Sequence, residues 1–333
     1  MVSGLTAEPM LADWKRLYEA ASNFRDQRPW DVLIDTDLFA VRMSDEVFYC
    51  SVIGRSHLEY GLLAYRVEAG LLGYVLLLND ALDLDESMLV QDCLAFNLGS
   101  ASEVHPADRA RIEALGLRFK GRRAWPSFRC HRPSYLPTAL CLTDAVALAT
   151  CLEQSCQISE EVRDGRRPPV TFGSEIIPMR HQNSEGCWET SMAALPRLEL
   201  SLPEIEENRI KGILQSCEKV RQSWEVRLLA IAPVVEDENE QGFWGRTLLC
   251  VDQESGFIWP TSILSPDDGV LDGFLAGVET AGFFPAILKL TSPLLERQLM
   301  PAAEALGIKV VQVAELPELE AATASLKGAF GGR

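Results

Sequence analysis

A run of basic and aromatic side chains between Ala114 and Thr143 is the part of this sequence most suited to binding chemistry. The run contains no Asp or Glu, although the whole chain of 333 residues has a formal net charge of −17. Guanidinium groups bind phosphate or carboxylate through paired hydrogen bonds, and aromatic rings offer stacking surfaces. The candidate anion- or partner-binding residues are therefore Arg118, Lys120, Arg122, Arg123, Arg129, Arg132 and Trp125.

Three interpretations of this basic run remain open from the sequence. Its side chains could bind an external anionic ligand, or they could dock against the acidic second half of the chain or against a partner protein. They could also belong to a solvated loop with no specific role. The run is rich in Gly, Pro and Arg between Leu117 and Pro137, and we expect a loop there.

A compact acidic cluster before a predicted strand is the second candidate site. Asp35 and Asp37 would project from the same side of an extended chain, where their oxygens could bind a divalent cation. Asp252, with Asp267 and Asp268, is a further candidate metal ligand near the C-terminus. The alternative is that these carboxylates only form acidic turns at the ends of strands.

Several common functional signatures are missing from the sequence. There is no HExxH, GxxxxGK[ST], GxGxxG or CxxC motif, so we expect no cofactor. The negative net charge disfavours general binding to nucleic acid or to an anionic membrane. Arg66 and Glu68 interrupt the longest apolar run, and the N-terminus resembles no secretory signal, so the sequence predicts a cytoplasmic protein with free thiols.

Hydrophobic periodicity predicts an α+β domain over residues 1–160. Apolar residues recur at helical spacing in residues 9–26, and alternating runs predict a hairpin, 38–43 with 47–53. Further strands are predicted over 61–67 and 88–98, and helices over 107–115 and 144–156. The charged stretch that ends at Pro168 and Pro169 has the composition of a domain boundary.

The second half of the chain has a different order of elements. Residues 161–222 are predicted as a linker with supporting strands near 170–177 and 187–194 and a helix over 203–219, which we expect to pack on a C-terminal sheet. Residues 223–330 read strand, strand, strand, helix, strand, helix, strand. Strands that alternate with helices indicate parallel pairing, so the chain as a whole is assigned to the α/β class.

This C-terminal segment resembles the ribonuclease-H-like core of integrases and DDE transposases. Trp224, the segment VDQESG at 251–256 and the segment PAILKL at 285–290 carry the resemblance. In that family, acidic metal ligands lie on the first strand and at the end of the fourth. The matching positions here are Arg227 and Thr291, which cannot hold the two metal ions of phosphodiester cleavage. The resemblance therefore implies a degenerate core without its usual chemistry.

Phrases in the N-terminal half carry a second resemblance, which spans most of the chain. They include WKRLYE at 14–19, YCSVIG at 49–54, LGLRFKG at 115–121 and AWPSFR at 124–129. With VDQESG, these phrases resemble a two-domain family of uncharacterised bacterial proteins that carry domains of unknown function. The resemblance implies a bacterial cytoplasmic protein and assigns no catalytic residue.

The hypothesis that follows is a non-catalytic binding or accessory module with a possible protein partner. One alternative is a metal-dependent phosphoesterase or nuclease that uses Asp35, Asp37 or Asp252. The other is a nucleic-acid-binding protein without cleavage, which would bind a random duplex with a steep dependence on salt.

Overall fold

The computed structural model describes residues 7–44, 46–79, 81–82, 84–167, 174–198, 202–234, 241–259 and 263–330. The fold is mixed α/β, and the chain divides into two compact units. The first unit comprises Met1–Tyr74, Asp92–Arg132 and Pro137–Leu198, and the second comprises Val75–Gln91, Pro133–Leu136 and Glu199–Arg333. Within the described residues, no helix is long and apolar enough to cross a membrane.

The helices occur in both halves of the chain. In order they are α1 (Leu11–Gln27), α2 (Val67–Leu78), α3 (Leu84–Val90), α4 (Pro106–Ala114), α5 (Leu142–Arg163), α6 (Glu207–Ser216), α7 (Val270–Ala281), α8 (Pro293–Leu306) and α9 (Pro317–Phe330). A short 3-10 helix, Pro29–Asp31, follows α1.

The strands form two separate sheets. The first contains β1 (Phe39–Met43), β2 (Glu46–Ile53), β3 (Gly61–Arg66), β4 (Cys93–Gly99), β5 (Trp125–His131), β6 (Ile176–Gln182) and β7 (Trp188–Ala194). The second contains β8 (Glu218–Val234), β9 (Phe243–Asp252), β10 (Ile263–Leu264), β11 (Phe283–Leu290) and β12 (Lys309–Gln312).

The first sheet has the strand order β5-β4-β3-β2-β1-β6-β7. Its neighbouring strands are antiparallel except for β1 and β6, which run parallel. The predicted hairpin is confirmed, because β1 and β2 pair from Phe39 opposite Cys50 to Met43 opposite Glu46. Asp45, in the predicted turn of this hairpin, lies outside the described residues.

Helices α1 and α5 bury their apolar sides in the core of the first unit. The predicted stripe on α1 is confirmed, since its buried residues include Trp14, Leu17, Ala21 and Phe24. Arg28 ends α1 in the left-handed conformation with φ 52°, directly before Pro29, whose ring disfavours helical geometry in its predecessor. This core combines aromatic and aliphatic side chains and includes residues of β1 to β5 and of α5.

The guanidinium of Arg66, at the end of β3, is buried among carboxylates. Its Nη2 lies 2.6 Å from Asp144 Oδ1 at the start of α5, and its Nε lies 3.5 Å from Asp92 Oδ1. Glu46 lies 3.6 Å away on a more exposed side. Burial alone would lower the pKa of Arg66, but the hydrogen bond and charge of Asp144 raise it above its ordinary value. This ion pair joins the sheet to α5.

Two elements predicted in the N-terminal half were wrong. Residues 88–98 do not form one strand, because α3 ends at Val90 and β4 begins at Cys93. Asp85 and Glu86 lie in the first turn of α3, where carboxylates stabilise the positive end of the helix dipole. The predicted loop over 117–137 contains β5, whose buried residues alternate strictly with less buried ones.

The strands predicted near 170–177 and 187–194 were assigned to the wrong sheet. β6 pairs with β1 in parallel, and β7 pairs with β6, so both belong to the first unit. Arg180 on β6 contributes to this placement, since it donates hydrogen bonds to Gln154 and Glu161 of α5. Residues 170–173, like Pro168 and Pro169, lie outside the described residues.

The second sheet has the strand order β10-β9-β8-β11-β12. β8, β9 and β10 are antiparallel neighbours, whereas β11 runs parallel to both β8 and β12. Helices α6, α7 and α8 contribute to the larger core of this unit, and α9 packs in a smaller cluster with Leu229, Leu249 and Val251. Gly282 and Gly307 end α7 and α8 with positive φ, as expected for glycine at this position.

Two segments from the N-terminal half complete the second unit. Leu89 of α3 is buried in the core that contains Trp224 and Leu248. The backbone N–H of Ser134 donates to Leu89 O, and the N–H of Trp244 donates to Ser134 O. The second core therefore depends on residues that come more than a hundred positions earlier than most of its sheet.

Removal of the buried carboxylate of Asp144 should destabilise the first unit. We expect Asp144→Ala to lower the free energy of unfolding by about 3 kcal/mol, because the buried charge of Arg66 loses its closest partner. Urea denaturation measures this change. Arg166→Ala is the control, since its ion pair with Asp164 is exposed and should contribute less than about 1 kcal/mol. Equal effects of the two substitutions would contradict this account.

Truncation of Leu89 should destabilise the second unit, although this residue lies within the N-terminal half. A Leu→Ala change at a buried site costs about 2–5 kcal/mol through lost apolar contact and the cavity left behind. Leu214→Ala on α6 is the matched control, because that side chain is 52% exposed and Leu89 only 6%. Hydrogen exchange of the β8 amides reports which unit opens. Unchanged exchange in Leu89→Ala would argue against the assigned packing.

His131 on β5 should make the first unit less stable in mild acid. Burial, assisted by the charge of Arg129, lowers the pKa of His131 below its ordinary value of 6.5. The folded chain therefore favours the neutral ring, and stability is lost as the pH falls through about 6.5 towards the folded pKa. His131→Gln should reduce the shift in urea midpoint between pH 7.5 and pH 5.5. A midpoint shift as large as in the wild type would exclude His131 as a cause.

Candidate functional site

A polar cleft of about 710 Å³ lies at the β4–β5 side of the first unit. The residues before β3, the end of β4, the loop after it, and the loop before β5 contribute its walls. It is lined by Leu58, Glu59, Tyr60, Asn97, Leu98, Gly99, Ser100, Ser102, Glu103, Arg122, Arg123 and Ser127. Two of the predicted basic residues thus lie in one cleft with hydroxyl, amide and carboxylate groups.

Strand pairing brings these separated segments together. Gly61 pairs with Asn97 between β3 and β4, and Asn97 in turn pairs with Ser127 between β4 and β5. Directly opposite residues project from the same face of a sheet, so Asn97 and Ser127 share the cleft side. A Cβ at Gly61 would lie 2.0 Å from the Phe96 carbonyl oxygen, so the close approach of β3 to β4 requires glycine here.

Arg123 is held against the ring of Tyr60. Its guanidinium carbon lies 4.9 Å from the ring centroid, and its Nη1 donates to the Tyr60 hydroxyl at 3.2 Å. His57 Nδ1 lies 3.0 Å from the same hydroxyl, and the Trp30 ring packs 4.9 Å from that of Tyr60. These contacts fix Arg123 in one position, and its φ of 58° is the left-handed geometry that turns the loop here.

Arg122 lines the same cleft, and its charged guanidinium is accessible to a ligand. It is exposed, and its guanidinium makes no hydrogen bond or ion pair with any residue that the structure describes. An arginine carries five N–H donors in a planar fork that matches a carboxylate or a phosphate. Arg122 can therefore bind an anion without first breaking an existing pair.

The carboxylate of Glu103 organises the loop on the facing wall. Its Oε2 accepts a 2.6 Å hydrogen bond from the backbone N–H of Ser100, and this bond lowers the pKa of Glu103. The hydroxyls of Ser100 and Ser102 lie 2.9 Å apart beside it. The wall therefore offers hydroxyl groups together with a carboxylate that stays ionised, so the cleft has two charges of each sign.

The other predicted basic residues lie outside this lining. Arg129 donates to Asp108 Oδ2 at 2.8 Å, and Arg111 bonds the other oxygen of the same buried carboxylate. Arg118, Lys120 and Arg132 are exposed. Trp125 is partly buried, and its ring centroid lies 5.9 Å from that of Phe119.

Most of the cleft was missed by sequence reasoning. Glu59, Tyr60, Asn97, Ser100 and Glu103 come from segments that only the β3–β4–β5 pairing brings together. No motif or spacing in the sequence marks them. The alternation of polar and apolar residues in the segment WPSFRCH is the signal that could have identified β5, and hence the neighbours of the basic run.

The predicted aspartate ligands have structural roles in the first unit. Asp35 is exposed, and its carbonyl oxygen accepts bonds from the hydroxyls of Ser51 and Tyr74. Asp37 is buried, and its Oδ2 accepts a 2.9 Å bond from the N–H of Ile34. Burial raises the pKa of Asp37, because its charged form is poorly solvated.

In the second unit, two buried carboxylates stabilise local structure. Asp252, at the end of β9, accepts hydrogen bonds from the N–H and hydroxyl of Ser255 in the turn that follows. Glu225 on β8 accepts a 2.9 Å bond from the N–H of Leu319 in the first turn of α9. Glu225 lies two residues before Arg227, the position on this strand that was matched to the acidic ligand of the resembled family.

The other C-terminal residues considered as metal-ligand positions do not converge on one site. Arg227 is on β8 opposite Leu249, and Thr291 follows the last residue of β11. Asp267 is exposed, while Asp268 accepts bonds from the N–H and hydroxyl of Ser265, which lower the pKa of Asp268. Across the described ranges, no three His, Cys, Asp or Glu side chains form a group that could hold a metal ion.

Comparison with known proteins gives family models alone. The model of the domain of unknown function DUF7309 matches residues 14–180, and that of DUF6930 matches residues 209–327. No curated protein and no solved structure matches the chain. The predicted membership of a two-domain family with domains of unknown function is confirmed. With just over half of its residues inside the first model, the chain belongs to the family of the domain of unknown function DUF7309.

Proposed function

We propose that this protein is a non-catalytic binding module whose cleft holds an acidic segment of a partner protein. The observation that carries this proposal is the position of Arg122, exposed beside Arg123 in a cleft lined by hydroxyl and amide groups. A carboxylate of the partner binds the guanidinium fork, and the Ser and Asn groups supply hydrogen bonds to the peptide around it.

The mixed charge of the cleft favours a short acidic peptide over a long polyanion. Glu59 and Glu103 lie in the lining, and the chain has a net charge of −17. An extended polyphosphate backbone is therefore repelled both by the carboxylates of the cleft and by the charge of the whole chain. Salt screens the distant charges beyond roughly 8 Å, but the contact with Arg122 is closer than this. A partner with one or two carboxylates between neutral residues fits these conditions.

The second unit is proposed to be a ribonuclease-H-like scaffold without catalysis. Three antiparallel strands followed by two parallel strands with intervening helices support this resemblance. Glu225 and Asp252, the buried carboxylates of β8 and β9, accept hydrogen bonds from α9 and from the β9 turn. These bonds support a role in holding the sheet and helix together rather than in binding metal ions.

A bacterial cytoplasmic location is part of the proposal. All nine cysteines have free thiols, and six of them are buried. Free cysteines persist in a reducing compartment, whereas secreted proteins of this cysteine content commonly form disulfides. The thiols support the location without defining a redox role.

Charge reversal in the cleft tests the proposed function. We expect the double variant Arg122→Glu and Arg123→Glu to weaken binding of a fluorescent peptide rich in Glu and Gly by at least tenfold, because a paired attraction becomes a repulsion. Fluorescence anisotropy measures the dissociation constant. Inorganic phosphate, titrated by calorimetry, distinguishes a free anion from an acidic peptide as the preferred ligand.

The matched control for this experiment is the double variant Arg118→Glu and Lys120→Glu. It makes the same change in net charge from exposed positions outside the cleft lining. The control should leave peptide affinity within about twofold of the wild type. Equal weakening by both variants would show a long-range charge effect, and no peptide binding by the wild type would refute the proposal.

A further inference from the structure

The strand β7 forms one end of the first sheet. Within the described residues it pairs along its length with β6, from Ile176 opposite Ala194 to Gln182 opposite Trp188. Its other side has no strand neighbour in that part of the chain. A seven-residue end strand of this kind presents a row of backbone donors and acceptors.

The hydrogen bonds at both ends of the hairpin show which backbone groups face outwards. Asn183 N donates to Cys187 O, and Leu195 N donates to Glu175 O. Since hydrogen-bonded pairs alternate along an antiparallel ladder, the odd-numbered residues of β7 bond to β6. The outward-facing N–H and C=O groups therefore belong to Trp188, Thr190, Met192 and Ala194.

β7 lacks the features that normally prevent edge-to-edge pairing. It contains no Lys, Arg or Pro and has no bulge in its register with β6. Its one charged residue, Glu189, lies 2.9 Å from His181 Nε2 on the neighbouring strand. Met192 is 52% exposed and Ile176 is 50% exposed on the same face of the sheet, and Arg167 Nη1 lies 3.0 Å from Met192 Sδ, so apolar surface with one neighbouring cation accompanies the free backbone edge.

We propose that β7 pairs with β7 of a second copy of this chain, antiparallel and about a twofold axis at Ser191. This register pairs all seven residues of both strands and places Thr190 opposite Met192, with the outward backbone groups of both facing each other. Glu189 lies opposite Ala193, so no like charges meet. A four-residue slip that placed Glu189 opposite Glu189 would shorten the ladder and oppose two carboxylates.

The pairing joins two seven-stranded sheets into one continuous sheet. β5 and the cleft beside it lie at the opposite edge of the sheet from β7, so the dimer leaves the clefts of both copies open. With strands about 4.8 Å apart, the two β5 strands would be roughly 60 Å from each other before twist is considered. The dimer is independent of what the cleft binds.

Sedimentation velocity over a concentration series tests this proposal on the full chain. The wild type should form a dimer, and Met192→Lys should raise the dissociation constant at least tenfold by placing charges across the twofold axis. Met192→Pro, which removes an outward N–H without removing a β6 hydrogen bond, should act in the same direction. The control Met192→Thr keeps a neutral side chain that suits a strand and should retain the dimer.

Backbone hydrogen exchange supplies a second measurement that does not depend on mass. In the wild-type dimer the amides of Thr190 and Met192 should exchange more slowly than in Met192→Lys, while the amide of Ser191 stays protected by β6 in both. A monomeric wild type at every concentration would overturn the proposal. A lysine variant that dimerises as tightly as the wild type would overturn it as well.

Discussion

The guanidinium of Arg66 is buried in the first unit, and its charge has to be balanced by neighbouring carboxylates. The packing of the sheet around Arg66 depends on these ion pairs. Asp144 provides the shortest contact, and Asp92 and Glu46 approach from other sides. The contact with Asp144 joins the end of β3 to the start of α5. At the other end of β3, the pairing of Gly61 with Asn97 brings Tyr60, the residue before the strand, beside the Asn97 wall of the cleft.

The sequence was sufficient to predict elements that have a strong local signal. The stripe on α1 and the hairpin of β1 and β2 follow from periodicity and turn residues alone. β5 was missed because its Pro, Arg and His residues have the composition of a loop, although the strand lies at a sheet edge where these residues are tolerated. The placement of β6 depends on parallel pairing with β1, which joins residues more than 130 positions apart, and no local pattern encodes it.

The candidate site was predicted in part for the same reason. Arg122 and Arg123 were predicted because they belong to a segment with only positive charges in a chain that is acidic overall. This pattern did not separate them from Arg129, whose partner Asp108 lies on α4. In the second unit, the hydrogen bond from Leu319 N–H at the start of α9 to Glu225 joins residues more than 90 positions apart, so no local pattern predicts it.

The contribution of Leu89 and Ser134 to the second unit limits how this protein can change over generations. If recombination replaced the C-terminal half, part of the core of the new half would still have to come from residues of the original N-terminal half. Substitutions around Trp244 therefore affect contacts that Leu89 and Ser134 supply. The regions that the two family models match are therefore expected to be inherited together, although their strands lie in separate sheets.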